Sequence, residues 1–89
     1  MHRSEIRHIV EKNDAINPRV FGSAIHGDDT EESDLDLLVD PIQGETTLMS
    51  LVSIEMEVSA LIGMKVDVQT PLALSARFRN EVLHEAVPL

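Results

Sequence analysis

Apolar residues recur along this chain at two spacings, and the switches between them mark its elements. Ile6, Ile9 and Val10 fall at i, i+3 and i+4, one stripe of an amphipathic helix. Ser4 just ahead of them suits an N-cap, and Glu5 suits the positive end of the helix dipole. Pro18 requires that helix to end near residues 13–17. The segment "RVFG" (19–22) then reads as a short strand closed by Gly22. Residues 24–33 carry no period and read as a polar, acidic loop, with room for one helical turn after Ser23. In "DLDLLV" (34–39) the alternation is strict. Leu35, Leu37 and Val39 share one face; Asp34, Asp36 and Leu38 share the other. Asp40 and Pro41 stop this strand.

The helical spacing returns in "TTLMSLVSIEMEVSALIG" (46–63). Leu51, Ile54, Val58, Leu61 and Ile62 form its stripe, and Gly63 stands where a left-handed C-terminal residue belongs. Beside that stripe lie Leu48, Met49, Val52 and Met56. One small core cannot cover both faces, so the spacing predicts either a broadly buried helix or a second face that meets another chain. "KVDVQT" (65–70) alternates again, with Val66 and Val68 on one side and Asp67 on the other, and Pro71 ends it. "LALSARFRNEVLHEAV" (72–87) reads as a last helix with Leu74, Phe78, Val82 and Ala86 aligned, closed by Pro88. The predicted order is α-β-(α)-β-α-β-α. This is an α/β (α+β) unit, a small sheet covered by helices. No repeat, low-complexity tract or linker divides it, so residues 1–89 are expected to form a single domain.

Composition narrows the chemistry. With two phenylalanines as its whole aromatic content, the chain must build its core from Leu, Ile, Val, Met and Ala. It has no cysteine, which excludes disulfides and thiolate zinc sites. There is no signal-peptide pattern and no bilayer-length apolar run, so a soluble, cytoplasmic protein is expected. A net charge of −9 argues against direct binding to nucleic acid or an anionic membrane. It suits cations or basic partners. Any phosphate compound handled here needs a positive charge to screen the repulsion.

The candidate chemistry lies in the alternating strands. Asp34 and Asp36 share a strand face, with Cβ atoms roughly 6–7 Å apart. If the strand holding Asp67 is their neighbour, three carboxylates converge. So close a set cannot all stay ionised without help, and a divalent cation is the usual help. Hard oxygen donors without imidazole or sulfur select Mg²⁺ or Mn²⁺. Such a site suits phosphoryl or nucleotidyl transfer, with two ions about 3.5–4 Å apart. Gly22 and Ser23 precede it; the glycine admits close backbone approach to a phosphate, and the serine adds a donor. Taken singly these features are ordinary. An Asp-x-Asp begins many solvated strands, Asp67 alone suits an edge strand, "DDTEES" (28–33) suits a solvated loop, and His2, His8, His26 and His84 lack ligand spacing. Their joint order carries the reading.

That order, Gly22-Ser23, ten residues, then Asp34-Leu35-Asp36, with a lone strand aspartate Asp67 later, resembles the DNA polymerase β-like nucleotidyltransferase superfamily. "VFGS", "SDLDLLVD" and the terminal "RNEVLHEAV" are similar to its minimal nucleotidyltransferases, over nearly the whole chain. The resemblance implies a small mixed sheet packed by helices. It implies that Gly22 and Ser23 hold nucleotide phosphates, that Asp34 and Asp36 bind both metal ions, and that Asp67 binds the catalytic ion and helps activate the acceptor hydroxyl. One departure stands out. Many relatives read Gly-Ser-x-Ala-Arg-Gly, and here His26 replaces the arginine, leaving a residue mostly neutral at pH 7.

The resemblance also implies partners. Minimal nucleotidyltransferases are commonly paired with a small helical HEPN-domain protein, often a ribonuclease toxin, and act as its antitoxin by AMPylation of a tyrosine. The expected enzyme takes ATP or another NTP, transfers AMP to a protein hydroxyl and releases pyrophosphate. A homo- or hetero-oligomer is compatible with this. Two alternatives stay open: a binding module that neutralises its partner by contact with little catalysis, favoured by His26, and transfer to a small-molecule acceptor, disfavoured by the lack of an acceptor domain.

Overall fold

The computed structural model describes residues 2–21 and 35–89. Helix α1 (Arg3–Lys12) leads into strand β1 (Ala15–Phe21). After the intervening segment come β2 (Leu35–Pro41), α2 (Leu48–Ile62) and β3 (Val66–Gln69). A 3₁₀ turn (Pro71–Ala73), α3 (Ala76–Glu85) and the short strand β4 (Val87–Pro88) complete the described chain. The sheet is four-stranded and mixed, in the order β3-β2-β1-β4. β2 and β3 run parallel, and β1 is antiparallel to both β2 and β4. The 15-residue α2 is the crossover that a parallel pair requires.

The strict alternation in β2 decides which side is covered. Leu37 and Val39 turn toward α1 and α2 and join Ile6, Val10, Ala15, Ile54, Val58, Val66 and Leu89 in one buried cluster. Leu35, Leu51, Leu61, Ile62 and Val68 pack around it. The expected stripe of α2 is therefore its core face. That helix is well terminated. The Thr47 side chain accepts from the Ser50 backbone N–H while Ser50 Oγ accepts from the Thr47 N–H, a reciprocal cap. Gly63 closes it at φ 73°, a left-handed conformation that glycine adopts without Cβ strain.

Several expected boundaries move. His2, not Ser4, stands at the start of α1; Ser4 lies inside the helix, and no side chain caps it. β1 begins at Ala15 rather than Arg19, because Asp14 takes a left-handed φ of 64° and turns the chain straight from helix to strand. Pro18 does not exclude this strand. It sits in a register shift between Ile16 and Arg19, where a residue without an N–H removes no ladder bond, and Asn17 before it adopts φ 54°. The last expected helix is divided. Pro71 opens a 3₁₀ turn, Ser75 caps α3 by accepting from the Arg77 N–H, and residues 87–88 pair with β1 instead of continuing the helix. The Leu74, Phe78, Val82, Ala86 stripe does not form a core face: α3 buries none of its residues, and Phe78 is exposed.

α1 and α2 are also joined by polar contacts. Asn13 donates to Ile9 O and to Glu57 Oε2, both at 2.8 Å, and Lys12 Nζ lies 2.5 Å from Glu57 Oε1. The Lys12 side chain first, and Asn13 second, hold the Glu57 carboxyl below its ordinary range. A lowered folded-state value gives stability that is present above the unfolded value and lost as pH falls through the folded one.

Two outcomes follow for stability. Leu37→Ala removes the centre of the main cluster and should cost about 2–5 kcal/mol, read as a lower urea midpoint; a cost under about 1 kcal/mol would place the core elsewhere. Glu57→Gln should weaken the fold at neutral pH, with its urea midpoint approaching that of the parent chain toward about pH 3. A constant gap across that range would remove the Glu57 charge as the cause.

Candidate active site

The other face of the sheet carries the acids. β2 and β3 pair with Asp36 opposite Asp67 and Leu38 opposite Gln69. Directly paired residues of neighbouring strands point to the same side, so Asp36 and Asp67 stand next to each other on backbones about 4.8 Å apart. On the far side of β2, β1 places Phe21 opposite Asp36 and Arg19 opposite Leu38. The face thus has two rows, Phe21-Asp36-Asp67 and Arg19-Leu38-Gln69. Leu38 is fully buried although it lies opposite the main core, and the 3₁₀ turn after β3 packs against β2. Both aspartates are only half-buried, which leaves them accessible to a ligand.

The row is flanked by polar side chains on β1 and β3. Gln69 Nε2 donates to Asp67 Oδ2 at 3.2 Å. Arg19 is committed elsewhere: its Nη2 lies 2.5 Å from Asp40 Oδ1, and its Nε donates to Asn17 O at 3.0 Å. Asn17 Nδ2 donates to the same Asp40 carboxylate at 3.0 Å. Asp40 therefore pairs with the arginine that β1 places on this face. A cavity of about 510 Å³ lies at the opposite edge, between α1, β1 and β4, and includes neither Asp36 nor Asp67. Arg7 spans it, donating from Nε to Leu89 O at 2.7 Å.

Of the residues singled out in the sequence, the sheet register brings Asp36 and Asp67 together. Gly22, Ser23, His26 and Asp34 lie outside the described residues. Among the described residues no set of three or more His, Cys, Asp or Glu side chains is arranged to hold a metal ion. The donor chemistry of Asp36 and Asp67, two adjacent carboxylates with no imidazole or sulfur among the described residues beside them, fits a hard divalent cation. Gln69 and the Arg19–Asp40 pair were not found from the sequence. Gln69 was legible in principle, since i+2 on a strand shares a face with Asp67; the Arg19–Asp40 pair needed the register.

A small mixed sheet with α1 and α2 on one face and the acid pair on the other matches the polymerase beta-like nucleotidyltransferase fold. The chain belongs to the polymerase beta nucleotidyltransferase family, whose model matches residues 4–89. It is a nucleotidyltransferase, and enzymes of this family generally use divalent metal ions. It is 33% identical over 86 residues to the protein adenylyltransferase MntA of Thermococcus cleftensis, covering 97% of this chain and 83% of the relative. A solved structure of a candidate minimal nucleotidyltransferase superimposes with a TM-score of 0.87 at 36% identity, over 99% of this chain and 89% of the other. A toxin–antitoxin structure with AMP-PNP shares the fold, at TM-score 0.79 and 16% identity, over 99% of this chain and 72% of that one. Among the described residues, no helix is long and apolar enough to cross a membrane.

Asp67→Asn should relieve repulsion within the row and raise the urea midpoint in chelator. The same substitution should remove most of the stabilisation that added Mg²⁺ gives the parent chain. An undiminished Mg²⁺ effect in the variant would take Asp67 out of the metal site.

Proposed function

We propose that this chain, acting as one minimal domain, transfers AMP from ATP to a hydroxyl of a partner protein and serves as the antitoxin of that partner. The in-register pair Asp36 and Asp67, in a chain of this family, carries the reading. The MntA relative is named a protein adenylyltransferase, which supports protein as the acceptor. The toxin–antitoxin structure of the same fold holds AMP-PNP, which supports an adenine nucleotide and a toxin partner. By resemblance that partner is a small helical HEPN-domain protein.

The roles are those that the family resemblance implies. Asp34, Asp36 and Asp67 hold the metal. Gly22 and Ser23 hold the nucleotide phosphates through backbone and hydroxyl donors. Two Mg²⁺ ions, or Mn²⁺ in their place, would supply the positive charge that lets a triphosphate approach this acidic face and that stabilises the leaving pyrophosphate. Asp67 stands beside the acceptor and helps activate its hydroxyl. The acceptor oxygen forms a bond to the α-phosphorus as the bond to the β-phosphate oxygen breaks, and pyrophosphate leaves. Gln69, donating to Asp67 Oδ2, keeps that carboxylate oriented.

The test is the intact mass of a co-purifying partner after incubation with ATP and Mg²⁺. One or more AMP units should be gained, and the Asp34→Asn, Asp36→Asn double variant should give none. No gain while a stable complex forms would favour a binding module that neutralises its partner by contact. Transfer surviving the double substitution would move the site elsewhere.

A further inference from the structure

Gln69 stands two residues beyond Asp67 on β3, so both side chains rise from the acid face of the sheet. Its Nε2 donates to Asp67 Oδ2 at 3.2 Å. An ionised carboxylate only accepts hydrogen bonds, so the NH₂ end of the amide is the end that faces it. The register sets Gln69 opposite Leu38 on β2, and Leu38 is fully buried. Gln69 is itself half-buried, which limits how far the amide can swing from the carboxylate. The contact makes the two oxygens of Asp67 unequal. Oδ2 accepts from Gln69, while among the described residues no hydrogen bond reaches Oδ1.

A carboxylate takes a metal ion through one oxygen or through both. Mg²⁺ demands near-octahedral geometry and keeps several of its waters, which suits one oxygen from each acid. Ca²⁺ gathers about 6–8 oxygens and readily takes a carboxylate through both. We infer that Gln69 makes this site prefer Mg²⁺ over Ca²⁺, because it holds Oδ2 and so offers Asp67 through Oδ1 alone. An ion on Oδ1 leaves the Gln69 bond intact. An ion on both oxygens must compete with the amide for Oδ2, and a displaced, half-buried amide loses its partner. The hydrogen bond therefore weighs against the larger ion and not against the smaller. Gln69 is a positioning residue that acts through Asp67. The inference rests on Asp36 and Asp67 as metal-holding acids. It does not rest on AMP transfer or on a protein acceptor, so failure of that reaction leaves it standing.

Thermal unfolding of the full chain, titrated separately with MgCl₂ and CaCl₂ without nucleotide, gives an apparent dissociation constant for each ion. Gln69→Leu keeps the bulk and removes the donor. In that variant the preference for Mg²⁺ over Ca²⁺ should fall roughly tenfold, the worth of one hydrogen bond to a charged group, chiefly because Ca²⁺ tightens. Gln69→Glu replaces the donor with a further carboxylate; both ions should tighten, Ca²⁺ more than Mg²⁺. Each ratio compares two ions on one variant, so a general loss of stability cancels, and circular dichroism checks that each variant folds. The effect of Gln69→Leu should vanish in an Asp67→Asn background. An unchanged ratio in Gln69→Leu, or a fall that persists with Asp67→Asn, would overturn the inference and leave the metal site in place. No stabilisation of the parent chain by either ion would overturn it together with the metal site.

Discussion

The parallel pairing of β2 with β3 is the constraint on which the rest depends. Leu35 against Val66 and Leu37 against Val68 face the helices, and the same register sets Asp36 beside Asp67 on the reverse side. A slip of one residue would bury the acids in the core and expose the leucines. The hydrophobic effect therefore positions the carboxylates: Leu37, Val39 and Val66 are buried against α1 and α2, and that burial locks the row behind them. An acid pair held this way cannot spread apart to relieve its repulsion. A divalent cation would offset it, and enzymes of this family generally use one.

The acidic balance of the chain takes a consistent meaning from that arrangement. Arg19 lies on the same face as the row but is bound by Asp40, which Asn17 also contacts. A triphosphate cannot approach such a surface through long-range attraction. Replacement of the motif arginine by His26 runs in the same direction.

The two faces of α2 divide the labour of the fold. One completes the core and so fixes the register of β2 and β3. The other leaves Leu48, Met49, Val52 and Met56 exposed. Glu57 and Asn13 join α2 to the end of α1, so the helix presents its outer face from a firmly held position.

Much of this was legible in the sequence because it depends on local period. The alternation of 34–39 separated Leu35, Leu37 and Val39 from the acids, and the spacing of Leu51, Ile54 and Val58 marked the core face of α2. Gly22-Ser23 with Asp34-Leu35-Asp36 pointed to the family before any contact was known. The sequence could not say that Val87 and Pro88 leave the helical pattern to pair with β1, since a two-residue strand exists only where an edge is waiting for it. It could not find the Arg19–Asp40 pair, whose partners are 21 residues apart and meet through a register shift at Pro18. Residue types and periods, set by covalent geometry, determined the elements and the candidate acids. Which strand lies beside which, and so whether Asp36 meets Asp67, was decided only in the tertiary structure, because strand order follows from the burial of the whole core and is written in no single segment.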